Sequence, residues 1–172
     1  MPLFLPSIVP MALYDGEIAQ TSTSAGVANT AYLVAVTLQV QSTLTGIRIR
    51  FAAGGTGHYD VGMYDSSGTN KGAGNLLAHA AATATSLVTS SATLTPALIG
   101  GSLALSAGNY WLALWVDNAT DTFNKQSASG SNAVVQSGTN AGPLPALASS
   151  LASLANATLK PVLIGLIQGG WS

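Results

Sequence analysis

Apolar and polar positions alternate with a period of two along most of this chain. Tyr32, Val34, Val36, Leu38 and Val40 fall on one side, with Ala35, Thr37 and Gln39 among the residues between them. Successive strand side chains point to opposite faces, so this run predicts a strand with one buried face. Ile47, Ile49 and Phe51 alternate with Arg48 and Arg50, the clearest in/out strand. Beyond the flexible Gly54-Gly55-Thr56-Gly57 loop, Tyr59, Val61 and Met63 form the next inward set, closed by the turn Asp65-Ser66-Ser67-Gly68. Leu76 to Ala80 is a further short strand, and residues 83–95 suit an extended, partly exposed one. Leu103 and Leu105 precede the turn at Ser106-Ala107-Gly108-Asn109, and Tyr110 to Val116 follows as a strand. A short element at Ala133 to Val135 lies within a Ser/Asn/Gly-rich loop, and Val162 to Gln168 supplies the last strand. One helix interrupts the pattern: Leu147, Leu151 and Leu154 stand at helical spacing after Pro143 and Pro145, and Lys160-Pro161 would stop it.

About eight short strands with turn signals every ~8–12 residues predict an all-β fold, an antiparallel β-sandwich or jelly roll with at most one short helix. Residues 1–13 lie outside the alternation. Their apolar side chains Leu3, Phe4, Leu5, Ile8 and Val9 stand among prolines, which favour extended backbone and lower the entropic cost of ordering. They are expected to form an N-terminal arm that docks on a neighbouring surface, with residues 14–172 as a single sandwich domain.

Composition changes the picture at the surface. Of 172 residues only five are Lys or Arg and six Asp or Glu, 6% against an ordinary ~25%. The exterior must be built from Ser, Thr, Asn, Gln and Gly, with little repulsion between copies, and near-zero net charge promotes association. A formal net charge of −1 leaves no basic footprint for nucleic acid and no polybasic patch for anionic lipid. The apolar start lacks a basic n-region and is broken by prolines, so it does not read as a signal peptide. The uncharged run from Pro96 to Val116 is punctuated by Gly100-Gly101 and Gly108-Asn109, which makes it two strands and a turn rather than a membrane span. No cysteine is present, so disulfides and thiolate metal sites are excluded.

Candidate chemistry is sparse. His58 and Asp60 flank Tyr59 and share a strand face, as a base and its orienter could, but no nucleophile stands beside them. Asp65 is explained by its turn, since the acidic spacing matches no calcium loop, and Asp15-Gly16-Glu17 is a weak turn and acidic pair. His79 stands alone, as an exposed strand residue. No phosphate-binding, nucleophile-elbow or zincin motif occurs, and no catalytic residue, metal or cofactor is expected. Arg48 and Arg50 either keep one strand face soluble or pair with Asp117, Asp121 or another subunit's carboxylate. Trp111 and Trp115 share one face of their strand around Ala113, opposite Tyr110, Leu112, Leu114 and Val116. A sandwich buries one face of each strand, so this second apolar face needs a cover. An element of the same chain, a neighbouring subunit or a stacked sugar could supply it.

Three segments follow in series, a strand Leu44-Thr-Gly-Ile-Arg-Ile-Arg-Phe51, a hairpin Tyr59-Asp-Val-Gly-Met-Tyr-Asp-Ser-Ser-Gly68 and a strand Leu103-Ala-Leu-Ser-Ala-Gly-Asn-Tyr-Trp-Leu-Ala-Leu114, and no internal repeat is visible. Together they resemble β-sandwich modules of tailed-bacteriophage virion proteins, found in tail fibres, head fibres and capsid decorations. The resemblance covers about residues 30–120, and the same grammar occurs in secreted bacterial carbohydrate-binding sandwiches. It implies a non-catalytic virion component, a homo-oligomer with a trimer favoured; contact with other virion proteins is expected, and a host-surface glycan is a further candidate partner. A carbohydrate-binding module with an exposed Trp111/Trp115 face is the alternative. A depolymerase accessory domain comes third, because paired carboxylates are missing.

Overall fold

The computed structural model describes residues 10–13, 22–53, 57–80, 83–84, 92–126, 135–139, 146–157 and 160–169. Their strands are β1 (Pro10–Leu13), β2 (Ser22–Ala25), β3 (Thr30–Leu38), β4 (Ser42–Ala53), β5 (His58–Asp65), β6 (Leu76–His79), β7 (Thr83–Ala84) and β8 (Ala92–Leu94). There follow β9 (Leu103–Leu105), β10 (Gly108–Val116), β11 (Thr122–Gln126), β12 (Val135–Thr139), β13 (Ala152–Asn156), β14 (Lys160–Pro161) and β15 (Leu163–Gly169). A single 3-10 turn, Thr69–Lys71, is the only helical element among the described residues.

The strands form two antiparallel sheets. The first runs β1-β15-β4-β11-β14, with β2 added to β11 and β8 and β9 added to β4. The second runs β13-β12-β3-β10-β5-β6, with β7 added to β5. The long strand β10 holds it together, pairing from Gly108↔Leu38 to Val116↔Thr30 on one side and from Tyr110↔Asp65 to Val116↔Tyr59 on the other. The fold is thus an all-β antiparallel sandwich, as the alternation predicts.

The core lies between the sheets. Tyr32, Val34, Val36, Leu112, Leu114, Val61 and Met63 face inward from the second sheet and meet Leu44, Ile47, Ile49, Phe51, Phe123 and Ile167 of the first. Two aromatic contacts cross the gap, Phe51–Tyr59 at 4.9 Å edge-on and Tyr32–Phe123 at 5.4 Å tilted, both within the favoured range for ring pairs.

Two expectations change. The last four residues of the expected arm, Pro10–Leu13, form β1 and pair with Gln168 to Gly165 of β15, extending the first sheet. The remaining arm residues, Leu3, Phe4, Leu5, Ile8 and Val9 included, lie outside the described residues. The expected helix over Leu147, Leu151 and Leu154 is extended chain ending in β13. Ser153 has φ +53° and marks a register shift against β12. One extra residue in a strand inverts the parity of everything after it. Leu147, Leu151 and Leu154 all pack on the same outer cluster, brought there by an irregular extended stretch and the bulge rather than by helical turns, so their spacing mimics a helix.

Candidate functional site

The outer face of the second sheet is apolar at its centre, where Ala31, Leu33, Tyr64, Trp111, Ala113 and Trp115 form a second buried cluster. Residues 146–154 cross this face as a strap. Leu147 packs onto the cluster with only 5% of its surface exposed, and Leu151 and Leu154 pack at its margin. Gly62 makes room: a Cβ there would lie 2.6 Å from Leu147 Cδ1 and 2.7 Å from the Ala78 carbonyl oxygen. Trp111 and Trp115 are therefore 4% and 0% exposed, covered by the chain itself. Neither ring offers an open platform for sugar or for another subunit. The indole N–H of Trp111 donates to the Lys71 carbonyl at 3.1 Å, which ties the 3-10 turn to the same face.

Polar bonds hold the strap. Asp60, directly opposite Trp115 in the ladder and fully buried, accepts the Leu147 N–H at 2.9 Å, the Ala80 N–H at 3.1 Å and a bond from His79 Nδ1 at 2.8 Å. The Tyr64 hydroxyl donates to the Ala148 carbonyl at 2.6 Å, and the Leu76 N–H donates to the Ser149 carbonyl at 2.8 Å. Burial, with the Asp60 charge adding to it, pushes the Tyr64 phenol well above its ordinary pKa, so the hydroxyl remains a donor.

His58 and Asp60, adjacent in the chain, are not partners. His58 Nδ1 meets Asp117 Oδ2 at 3.0 Å, and its backbone N–H donates to Asp117 Oδ1 at 2.8 Å, while Asp60 holds His79. His79 is thus a half-buried, hydrogen-bonded residue rather than a free exposed one. Asp117 is held below its ordinary carboxylate pKa: burial opposes this, and bonds from His58 and Asn118 outweigh it. Asp121 is fully buried and accepts the Asn118 side-chain amide at 2.9 Å. Asp65 accepts Ser67 N–H, Ser67 hydroxyl and Asn75 N–H on Oδ1, and the Asn75 amide on Oδ2. All four described carboxylates are therefore engaged within the subunit. Arg48 and Arg50 consequently find no carboxylate among the described residues. Arg48 is exposed with Nε 3.4 Å from the Thr95 hydroxyl, and Arg50 is half-buried with Nε unpartnered.

Beside the strap runs an open groove of about 810 Å³ between the Gly68–Asn75 turn and residues 150–156. Asn70, Ser150, Ser153 and Asn156 line it together with the apolar side chains of Ala73, Leu151 and Leu154. Among the described residues no Asp, Glu, Lys, Arg or His lines it. A smaller hollow of about 360 Å³, floored by Ala35, Tyr110 and Trp111, lies on the other side of Asn70. Both walls are firm. The Asp65 hydrogen bonds clamp Ser67 to Asn75, and an Asn75↔Ser150 bridge joins the turn to the strap. Among the described residues, three of the four non-glycine positions with positive φ, Asn70 (+55°), Lys71 (+60°) and Ser153 (+53°), stand at this groove or beside it. These residues carry little signal in the sequence: the density of Asn, Ser and Gly at 66–75 and 149–156 reads equally as turn chemistry.

Among the described residues no group of three or more His, Asp or Glu could hold a metal ion. No described helix is long and apolar enough to cross a membrane. No family model, curated protein or solved structure matches the chain.

Proposed function

We propose that this chain is a non-catalytic structural subunit of a tailed-bacteriophage virion, a capsid decoration or the head of a fibre or spike. It assembles with further copies of itself, as a trimer by preference, and with other virion proteins. The observation that supports this most is the fate of the carboxylates: Asp60, Asp65, Asp117 and Asp121 all turn to partners inside the subunit. Among the described residues the exterior left to neighbouring copies is mostly amides, hydroxyls and strand edges, with few charges such as Arg48 and Lys71, so like-charge repulsion between copies is weak. Among the described strands, β13 and β6 end the path of the second sheet and β1 and β14 that of the first, and sheet edges are ready sites of pairing. The flank at β6 is also apolar. Leu77 sits at a register shift and is exposed, and exposed Ile99 is tied to the same strand by its N–H to the His79 carbonyl at 2.8 Å. The resemblance of residues 44–51, 59–68 and 103–114 to virion sandwich modules supports the location.

Immunogold microscopy tests this on phage particles purified from a lysate containing the protein. Label at a fixed place on head or tail is the expected result. Unlabelled particles, with the protein left in the soluble fraction, would contradict it.

A further inference from the structure

We infer that the groove between the Gly68–Asn75 turn and residues 150–156 is a binding site for a neutral oligosaccharide. Its volume of about 810 Å³ suits a ligand of a few sugar rings. The lining selects the class. A charged ligand would find no countercharge in the lining, because none of the described residues that line the groove is ionisable. A purely apolar ligand would leave the amides of Asn70 and Asn156 and the hydroxyls of Ser150 and Ser153 without partners, which disfavours it. A sugar presents hydroxyls that both donate and accept, beside patches of C–H. Those match the polar side chains of the lining, Thr69 and Asn75 included, and the apolar Ala73, Leu151 and Leu154.

The site is also preorganised. Ser153 on one wall holds left-handed backbone, a conformation a serine rarely adopts unless its surroundings impose it, and Asn70 on the opposite wall sits in the left-handed turn geometry that asparagine favours. The Asp65 clamp and the Asn75↔Ser150 bridge fix the walls relative to each other before any ligand arrives. Rigid walls reduce the ordering cost of binding.

An extended peptide added to the edge of β13 is the competing occupant, and the backbone disfavours it. The φ of +53° at Ser153 and the register shift against β12 interrupt the regular row of edge N–H and C=O groups that strand addition needs. The inference rests on the proposed virion role only for the source of the sugar, a host surface.

Nuclear magnetic resonance titration of the 15N-labelled full chain tests it. The probes are neutral tetrasaccharides of glucose, mannose, galactose and N-acetylglucosamine, a sialylated oligosaccharide and an uncharged pentapeptide. At least one neutral sugar should shift the signals of Asn70, Ser150, Ser153 and Asn156 saturably, and the sialylated one should bind more weakly. Asn70→Gly keeps the backbone conformation while removing the amide, and Asn156→Ala alters an exposed residue. Each should weaken binding about tenfold, the worth of one hydrogen bond, with an unchanged melting temperature. The inference is overturned if no neutral sugar shifts these signals, if the shifts map elsewhere, if both variants bind normally, or if only the pentapeptide binds. The mass in solution, read on the same samples, separates the two proposals. Assembly without sugar binding removes the groove alone, and sugar binding by a strict monomer removes the building-block role alone.

Discussion

The fully buried carboxylate of Asp60 accepts the backbone N–H of Leu147 at 2.9 Å, joining residues 87 positions apart. The bond fastens the strap to the outer sheet face, and the strap in turn closes over Trp111 and Trp115. Asp60→Asn replaces one acceptor oxygen by a donor facing N–H groups. It should destabilise the protein by about 3 kcal/mol, as expected for breaking a buried charged hydrogen-bond set. Urea denaturation gives the loss, and hydrogen exchange at 147–151 should speed up before the rest. A loss under about 1 kcal/mol would show that the strap is held by other means.

Gly62 and Leu147 are a packing pair across the same face. Gly62→Ala should cost about 1–3 kcal/mol through overpacking, since the new methyl meets both Leu147 and the Ala78 carbonyl. In a Leu147→Ala background the cost should shrink without vanishing, because the backbone carbonyl stays. A double-mutant cycle in urea measures this coupling, and strictly additive effects would contradict the seating of Leu147 over Gly62.

Asp65 governs part of the acid response. Burial raises its pKa, but hydrogen bonds from the Ser67 hydroxyl, Asn75 N–H, Ser67 N–H and Asn75 amide outweigh burial and bring it to about 2, from an ordinary 3.8. A depressed carboxylate contributes stability that is complete above the unfolded value and lost as pH falls through the folded one. Melting temperature should therefore decline from 3.8 toward about 2, with Asp117 adding in the same direction. Asp65→Asn should be less stable than the parent at neutral pH and should converge with it at the acid end of that window. Parallel curves throughout would refute the assignment.

Burial of the tryptophans can be read directly. With Trp171 changed to Phe, emission from Trp111 and Trp115 should resist iodide quenching far better than free indole does, because neither is more than 4% exposed. Asp60→Asn should raise quenching as the strap loosens. Ready quenching of the parent would mean an open face.

The strands were legible because β3, β4, β5 and β10 bury one face between sheets, so their period of two is written plainly in Tyr32–Leu38 and Ile47–Phe51. The strap was not. Leu147, Leu151 and Leu154 have a helix's spacing, and the bulge at Ser153 that puts them on an extended chain leaves no compositional mark. The pairings of His79 with Asp60 and of His58 with Asp117 depend on strand order, which local pattern does not encode. For the same reason Trp111 and Trp115 announced a face in need of cover, while the identity of the cover lay 30 or more residues downstream. The groove was the least visible. Its residues lie on two distant segments rich in Ser, Asn and Gly, whose ordinary use is in turns.

Sedimentation equilibrium, run from micromolar to high concentration at low and high salt, bears most directly on the building-block role. The account predicts a defined oligomer, three copies by preference, whose mass hardly changes with salt because few charges meet at the contact. A single monomeric species at every concentration would contradict it.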